Sequence, residues 1–284
     1  MATPKVKDYM TKDPVFLYVP GNRKEAMRIF VKETVSGIPV LREDDDKLVG
    51  IITRKDVFAK PHEDQLAMIM HKDPVSVHED DNLNKAAKLM VDNNVHRLPV
   101  LDAKEKLVGV ISPIDMLAYV DDMELEEPVE RYMRRDVVPL HRAMPANVAL
   151  EIMELTHAKA LPVLDDDVRV AGMITDRDIY AQVRIDRKLV QSDLGAEGDE
   201  DSWTRESLRN IMKLYYDIGK VEIPKIAIEK VMVKEPKTVQ GKTSVSRAAR
   251  LMHRGRFNQL PVLDSNMKLI GMVYDTDLIR VLVK

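Results

Sequence analysis

Three fixed intervals recur four times in this 284-residue chain, and they constrain its architecture before any single side chain is weighed. The steps Ile38-Pro39-Val40, Leu98-Pro99-Val100, Leu161-Pro162-Val163 and Leu260-Pro261-Val262 are each followed, 16 or 17 residues past the proline, by an aspartate: Asp56, Asp115, Asp178 and Asp277. Upstream, Pro14, Pro74, Val137 and Pro236 each stand 25 residues before that proline. Met10, Met70, Met133 and Met232 stand four residues earlier still.

Within each copy the apolar periodicity reads strand, helix, strand, strand, helix. In the second copy Val95–Val100 and Leu107–Ile111 read as buried strands around a polar turn, with Leu83, Ala86, Ala87 and Met90 as the core stripe of the preceding helix. Ser112 then opens the closing helix with Pro113 at its first position, where a missing N–H costs nothing. One copy alone has too little sheet and helix to bury its own apolar face, so adjacent copies are expected to pair. The fold class is α/β (α+β), four strand-helix-strand-strand-helix repeats in two tandem pairs. The repeats fall at about 6–60, 66–120, 129–183 and 228–284. Residues 1–120 make the first pair, the acidic stretch 121–128 the linker, and 129–284 the second pair, with a loop and helix inserted at about 184–227. In that insert Leu208, Ile211, Met212 and Tyr215 have helical spacing behind Trp203; the helix packs on its own domain or docks a second subunit.

Several function classes drop out on composition. A net charge of −3 supplies no global field for nucleic acid or anionic membrane. The absence of cysteine removes disulfides and thiol chemistry and fits a cytoplasmic setting. No apolar run is long enough for a membrane span. Seven histidines lack ligand spacing, so no metal site is expected, and no glycine-rich phosphate loop or nucleophile elbow points to an enzyme.

The recurring polar residues carry the chemistry. Thr53-Arg54-Lys55-Asp56, Ser112-Pro113-Ile114-Asp115 and Thr175-Asp176-Arg177-Asp178 each place an acid three residues after a hydroxyl. That spacing caps a helix. It also offers a hydroxylated helix start to phosphate and a carboxylate to the vicinal hydroxyls of a ribose, and both readings stay open on the sequence. His96 and Arg97, adjacent on a strand, should face opposite sides, one of them into the cleft, where a guanidinium can take phosphate through paired donors. The equivalent pairs Ser36-Gly37, Lys159-Ala160 and Asn258-Gln259 differ, so the four sites should not be equivalent.

On the opening methionines, the Ile/Leu-Pro-Val strands and the Gly50-Ile51-Ile52-Thr53-Arg54-Lys55-Asp56 stretch with its counterparts, the chain resembles the CBS-domain family, named after cystathionine beta-synthase. His96-Arg97-Leu98-Pro99-Val100 is also similar to a stretch of the four-repeat gamma subunit of AMP-activated protein kinase, and stand-alone four-repeat chains of this kind are common in archaea. The resemblance implies disc-like paired repeats that bind AMP, ADP, ATP or S-adenosylmethionine as regulatory ligands and signal to a partner protein, commonly as homodimers. Carried over by position, Asp56, Asp115 and Asp178 would hold ribose, with Thr53, Ser112 and Thr175 near phosphate or ribose. Backbone at Ile38, Leu98 and Leu161 would read adenine, and Arg54, His96, Arg97, Lys159 and Arg177 would meet phosphate. Asp277 keeps the ribose carboxylate, but Tyr274 replaces its hydroxyl partner, so two or three usable sites are expected rather than four. An enzyme of the inosine-monophosphate dehydrogenase kind has no room for its barrel. The other class is a structural or nucleic-acid adaptor using Arg247, Arg250, Arg254 and Arg256, the first three of which the spacing reads as a solvated helix face.

Overall fold

Each repeat builds the same short sheet. Repeat 1 contains β1 (Thr11–Lys12), β2 (Leu17–Val19), α1 (Arg23–Lys32), β3 (Gly37–Arg42), β4 (Leu48–Thr53) and α2 (Arg54–Ala59). The computed structural model describes residues 4–33, 35–60, 63–158, 160–180 and 225–283, so the predicted insert helix behind Trp203 lies outside the described residues. Repeat 2 runs through α3 (Leu66–Ile69), β5 (His71–Lys72), β6 (Val77–His78), α4 (Leu83–Asp92), β7 (Leu98–Leu101), β8 (Leu107–Ile111) and α5 (Pro113–Asp122). Repeat 3 supplies β9 (Leu140–His141), α6 (Ala146–Thr156), β10 (Ala160–Leu164), β11 (Val170–Thr175) and α7 (Asp176–Tyr180). Repeat 4 supplies β12 (Val233–Lys234), β13 (Val239–Gln240), α8 (Val245–Gly255), β14 (Gln259–Leu263), β15 (Leu269–Tyr274) and α9 (Asp275–Leu278).

Helix α4 forms where the sequence places an apolar stripe behind a capping side chain. In α4 the stripe is Leu83, Ala86, Ala87 and Met90, all buried, and Asn82 Oδ1 accepts the Lys85 N–H at 2.8 Å to satisfy an otherwise unpaired donor of the first turn. The helix ends where Asn94 turns left-handed (φ 51°). The following strand therefore begins at Leu98 rather than at the expected Val95, and His96 and Arg97 precede it. In all four repeats a parallel partner meets the Pro-Val strand only from the valine onward, at Leu17↔Val40, Val77↔Val100, Leu140↔Val163 and Val239↔Val262. The missing proline N–H thus removes nothing from that ladder.

Three of the four sheets are completed by a strand from the neighbouring repeat, and the fourth, β13-β14-β15, by a single bridge. The sheets order as β2-β3-β4-β5, β1-β8-β7-β6 and β9-β10-β11-β12. Repeat 1 therefore lends β1 to repeat 2 and receives β5 in return, while repeat 3 receives β12 from repeat 4. The reciprocal loan is made by Arg134, which bridges Met272 on β15. The recurring methionines and glycines explain each other at these seams. A Cβ at Gly50, Gly109, Gly172 or Gly271 would collide with Met70, Met10, Met232 or Met133 respectively. Glycine permits the close approach, and methionine covers the borrowed strand. These exchanges establish the tandem pairing of repeat 1 with 2 and of repeat 3 with 4.

By residue contacts the chain divides into two units. One comprises Met1–Phe30, Val35–Asp136 and Lys237–Lys284; the other comprises Val31–Thr34 and Val137–Pro236. In the first, α5 packs on α8 through Met116, Leu117 and Val120 against Ala248, Ala249 and Met252, all buried. Ser246 Oγ donates to Val120 O at 2.7 Å and accepts from Leu125 N at 2.8 Å, and Val245 N donates to Glu127 O at 2.8 Å. The acidic 121–128 stretch is thereby laid against the start of α8. In the second unit Leu140, Ala149, Met153, Leu161, Val163 and Ile174 form a core with Ile228. Among the described residues no helix is long and apolar enough to cross a membrane.

Candidate functional site

The aspartate that closes each repeat sits at the first turn of its last helix, and in repeats 1 and 2 its two oxygens are divided between two tasks. Asp56 Oδ2 accepts from Thr53 N at 2.7 Å and from Thr53 Oγ1 at 2.6 Å. Asp115 Oδ2 does the same for Ser112 N (2.9 Å) and Oγ (2.6 Å), and Asp178 Oδ2 for Thr175 N (2.9 Å) and Oγ1 (2.7 Å). The capping reading of the spacing is therefore realised in three repeats by one oxygen of each carboxylate. Among the described residues, the ion-pair partners of the other oxygen of Asp56 and of Asp115 are solvent-exposed side chains. Asp56 Oδ1 lies 2.8 Å from Nε2 of His71, whose side chain is 68% exposed, and Asp115 Oδ1 lies 3.9 Å from Nη1 of Arg256, which is 72% exposed. Neither partner is held by burial, so either can be displaced.

Arg97 turns inward at the seam between repeats 1 and 2, while His96 is exposed, which is the opposed orientation expected of neighbouring residues. Its Nη1 donates to Gly37 O at 3.2 Å, and Gly37 is the equivalent position of repeat 1. Nε is buried and has no hydrogen-bond partner among the described residues. Burial pulls this guanidinium below its usual range, and the Asp115 carboxylate acts in the opposite direction. A desolvated cation with an unused donor suits an anionic group.

The remaining expected positions are distributed unequally. Ile38, Leu98 and Leu161 are buried in the central strands, so any reading of a base there falls to their backbone. Arg54 lies with Cζ 5.8 Å from the Phe30 ring centroid and donates Nη2 to Phe30 O at 3.2 Å, so its guanidinium is engaged with the end of α1. Lys159 and the side chain of Arg177 lie outside the described residues.

Repeat 4 departs from the others. Asp277 is 1% exposed in its side chain, and both oxygens accept from Arg134: Nε at 3.1 Å and 3.0 Å, Nη2 at 2.9 Å. Arg134 is held above its usual range chiefly by that hydrogen bonding. The Tyr274 ring lies under the same guanidinium, 4.7 Å from Cζ to centroid, and burial pushes its phenol up. Tyr274 N still donates to Asp277 Oδ2 at 3.2 Å. A phenolic oxygen at the far end of a ring, however, cannot return the short hydroxyl bond made by Thr53, Ser112 and Thr175. Asn258 in turn is bound to Asp275 at 2.7 Å.

Two residues that the motif reading did not single out, His71 and Arg134, thus touch the recurring aspartates. Their signal in the sequence is positional: each directly follows a recurring methionine. The Arg247–Arg256 series is interrupted as a basic stripe, since Arg250 is paired with Asp121 at 2.9 Å. Among the described residues no cluster of three or more His, Cys, Asp or Glu is arranged for a metal ion.

Comparison with known proteins gives a consistent assignment. The CBS domain family profile matches residues 6–63, 66–122, 129–184 and 228–284. The uncharacterized protein MJ1225 of Methanocaldococcus jannaschii is 27% identical over 192 residues, covering 61% of this chain and 68% of its own length. Its crystal structure, described as that of a candidate archaeal homologue of the gamma subunit of AMPK, covers 98% of this chain and 99% of that one at TM-score 0.71. At 19% identity over that superposition the likeness is one of fold. An uncharacterized conserved protein from Pyrococcus horikoshii is 27% identical and covers 98% of this chain and 100% of that one at TM-score 0.68. An inosine-5'-monophosphate dehydrogenase of M. jannaschii is 35% identical over 125 residues, but the match spans only 25% of that enzyme.

Proposed function

Since the chain belongs to the CBS-domain family in all four of its repeats, we propose that it is a non-catalytic regulatory protein whose repeats bind an adenosine-containing ligand and report its presence to a partner protein. The ligand class is AMP, ADP, ATP or S-adenosylmethionine. The observation that carries this reading is the divided carboxylate: one oxygen of Asp56 and Asp115 tidies the helix start while the other faces a displaceable group, leaving it available to a diol. In this reading Asp56, Asp115 and Asp178 take ribose and Arg97 takes phosphate, with Thr53, Ser112 and Thr175 beside them. Ile38, Leu98 and Leu161 offer backbone to the base. Repeats 1–3 provide the sites; Asp277 is committed to Arg134 and does not. Residues 1–120 and 129–284 act as two ligand-sensitive pairs, and the protein works as a homodimer. Ligand shifts its balance of states by the difference in affinity between them.

The test is isothermal titration calorimetry of the full chain with AMP, ATP and S-adenosylmethionine in turn, with thermal melts alongside. At least one is expected to release or absorb heat and raise the Tm. Asp115→Ala and Arg97→Ala should each weaken binding by about tenfold or more, the scale of a lost charged hydrogen bond. Silence from all three compounds in both measurements would overturn the reading.

A further inference from the structure

The residue after each recurring methionine occupies one and the same place in the fold. Thr11 is opposite Val110, His71 opposite Ile51 and Val233 opposite Met173 in the paired ladders, and Arg134 is bridged to Met272. Each of those facing residues lies five positions before the aspartate of its repeat: Asp115, Asp56, Asp178 and Asp277. The borrowed strand therefore presents one side chain of one repeat beside the carboxylate of the other. Where that side chain is arginine, it takes both carboxylate oxygens and the aspartate is buried. Where it is histidine, it reaches the outward oxygen alone. Threonine carries no charge and valine no donor.

We propose that this single position sets the ligand occupancy of the neighbouring repeat: Arg134 seals repeat 4, His71 competes for repeat 1, and Thr11 and Val233 leave repeats 2 and 3 open. The inference rests on the adenosyl-binding reading and adds to it which residue, contributed by which repeat, decides between an open and a closed site. It requires no rearrangement of the fold, because Thr11 and Val233 are exposed and an arginine there displaces no core. The closed state is an internal mimic of a bound one, with the guanidinium taking the carboxylate contacts that a diol would otherwise make. Tyr274 completes the seal by lying against the face of that guanidinium while its in-plane donors hold Asp277.

The experiment counts sites. Calorimetric stoichiometry is measured with AMP, ATP and S-adenosylmethionine on the full chain and on four variants, with circular dichroism to verify folding. Thr11→Arg, His71→Arg and Val233→Arg should each lower the stoichiometry by one site. Arg134→Val combined with Tyr274→Thr, which gives repeat 4 the residues found beside Asp178, should raise it by one. Should that double variant fail to fold, the three arginine variants decide the matter alone. A wild-type protein that binds while all three arginine variants keep its stoichiometry overturns this inference and leaves the adenosyl reading standing. A wild-type protein that binds none of the three compounds overturns both.

Discussion

The second and fourth repeats end in the same helix start and treat its carboxylate in opposite ways. At Asp115 the cap is a serine, the borrowed strand brings a threonine, and the nearest cation is an exposed arginine 3.9 Å away. At Asp277 the cap is a tyrosine, the borrowed strand brings Arg134, and three hydrogen bonds shorter than or equal to 3.1 Å bind the carboxylate. The backbone geometry is shared, so the difference lies in two side chains. One fold can thus keep a polar corner partly open or convert it into a structural clamp. The conversion goes with burial: the Asp277 carboxylate, 1% exposed, is ion-paired on both oxygens, whereas the Asp115 carboxylate, 14% exposed, keeps one oxygen in reach of water.

The contrast can be broken most forcefully at the clamp. Arg134→Ala leaves the buried Asp277 carboxylate uncompensated and should cost about 3 kcal/mol, read as a lowered denaturation midpoint. The next effect separates the seams. Gly109→Val meets Met10 and should destabilise by about 2 kcal/mol, and Met10→Ala in the same chain should restore part of the loss, giving a measurable coupling. Gly271→Val meets a main-chain oxygen first, Arg134 O at 2.5 Å against 3.0 Å for Thr11 O at Gly109, so Met133→Ala should rescue it less, because a main-chain oxygen cannot be shortened. Smaller again is Asp115→Ala, which should cost only about 1 kcal/mol through the lost cap contacts while removing ligand binding at that corner. A loss of stability there comparable with that of Arg134→Ala would erase the distinction between site and clamp.

The smallest effect marks the floor of the scale. Asp80 is held down to about 2 by hydrogen bonds from Lys5 (2.8 Å) and Lys7 (2.9 Å), all at the surface. Because its folded pKa is depressed, its contribution is present above the unfolded value near ~4 and disappears as pH falls through about 2. Asp80→Asn should therefore barely move the neutral-pH melt, and the small difference from wild type should vanish by about pH 2.

The repeat architecture was legible because its signals are local and periodic. Leu83, Ala86, Ala87 and Met90 are the buried face of α4, and Thr53, Ser112 and Thr175 open their helices with the aspartate three residues on. What escaped was non-local. Nothing near Asp277 in the chain announces Arg134, which is 143 residues away. Nothing in the spacing of Met10 tells that it covers Gly109 rather than the glycine of its own repeat. The expected strand start at Val95 failed for a different reason. The apolar pattern continues through Val95, but the left-handed turn at Asn94 is followed by an irregular stretch before pairing begins at Leu98. That offset places Arg97 ahead of the paired strand, where its guanidinium reaches the backbone of Gly37.

The traded edge strands have a consequence for how such a chain can be taken apart. A single repeat excised from it loses the strand that finishes its sheet and keeps one shaped to finish another's, so its raw edge fits a second copy of itself. No piece smaller than a couple keeps its traded strands, and cutting inside a couple should yield intertwined dimers or aggregates in place of monomers.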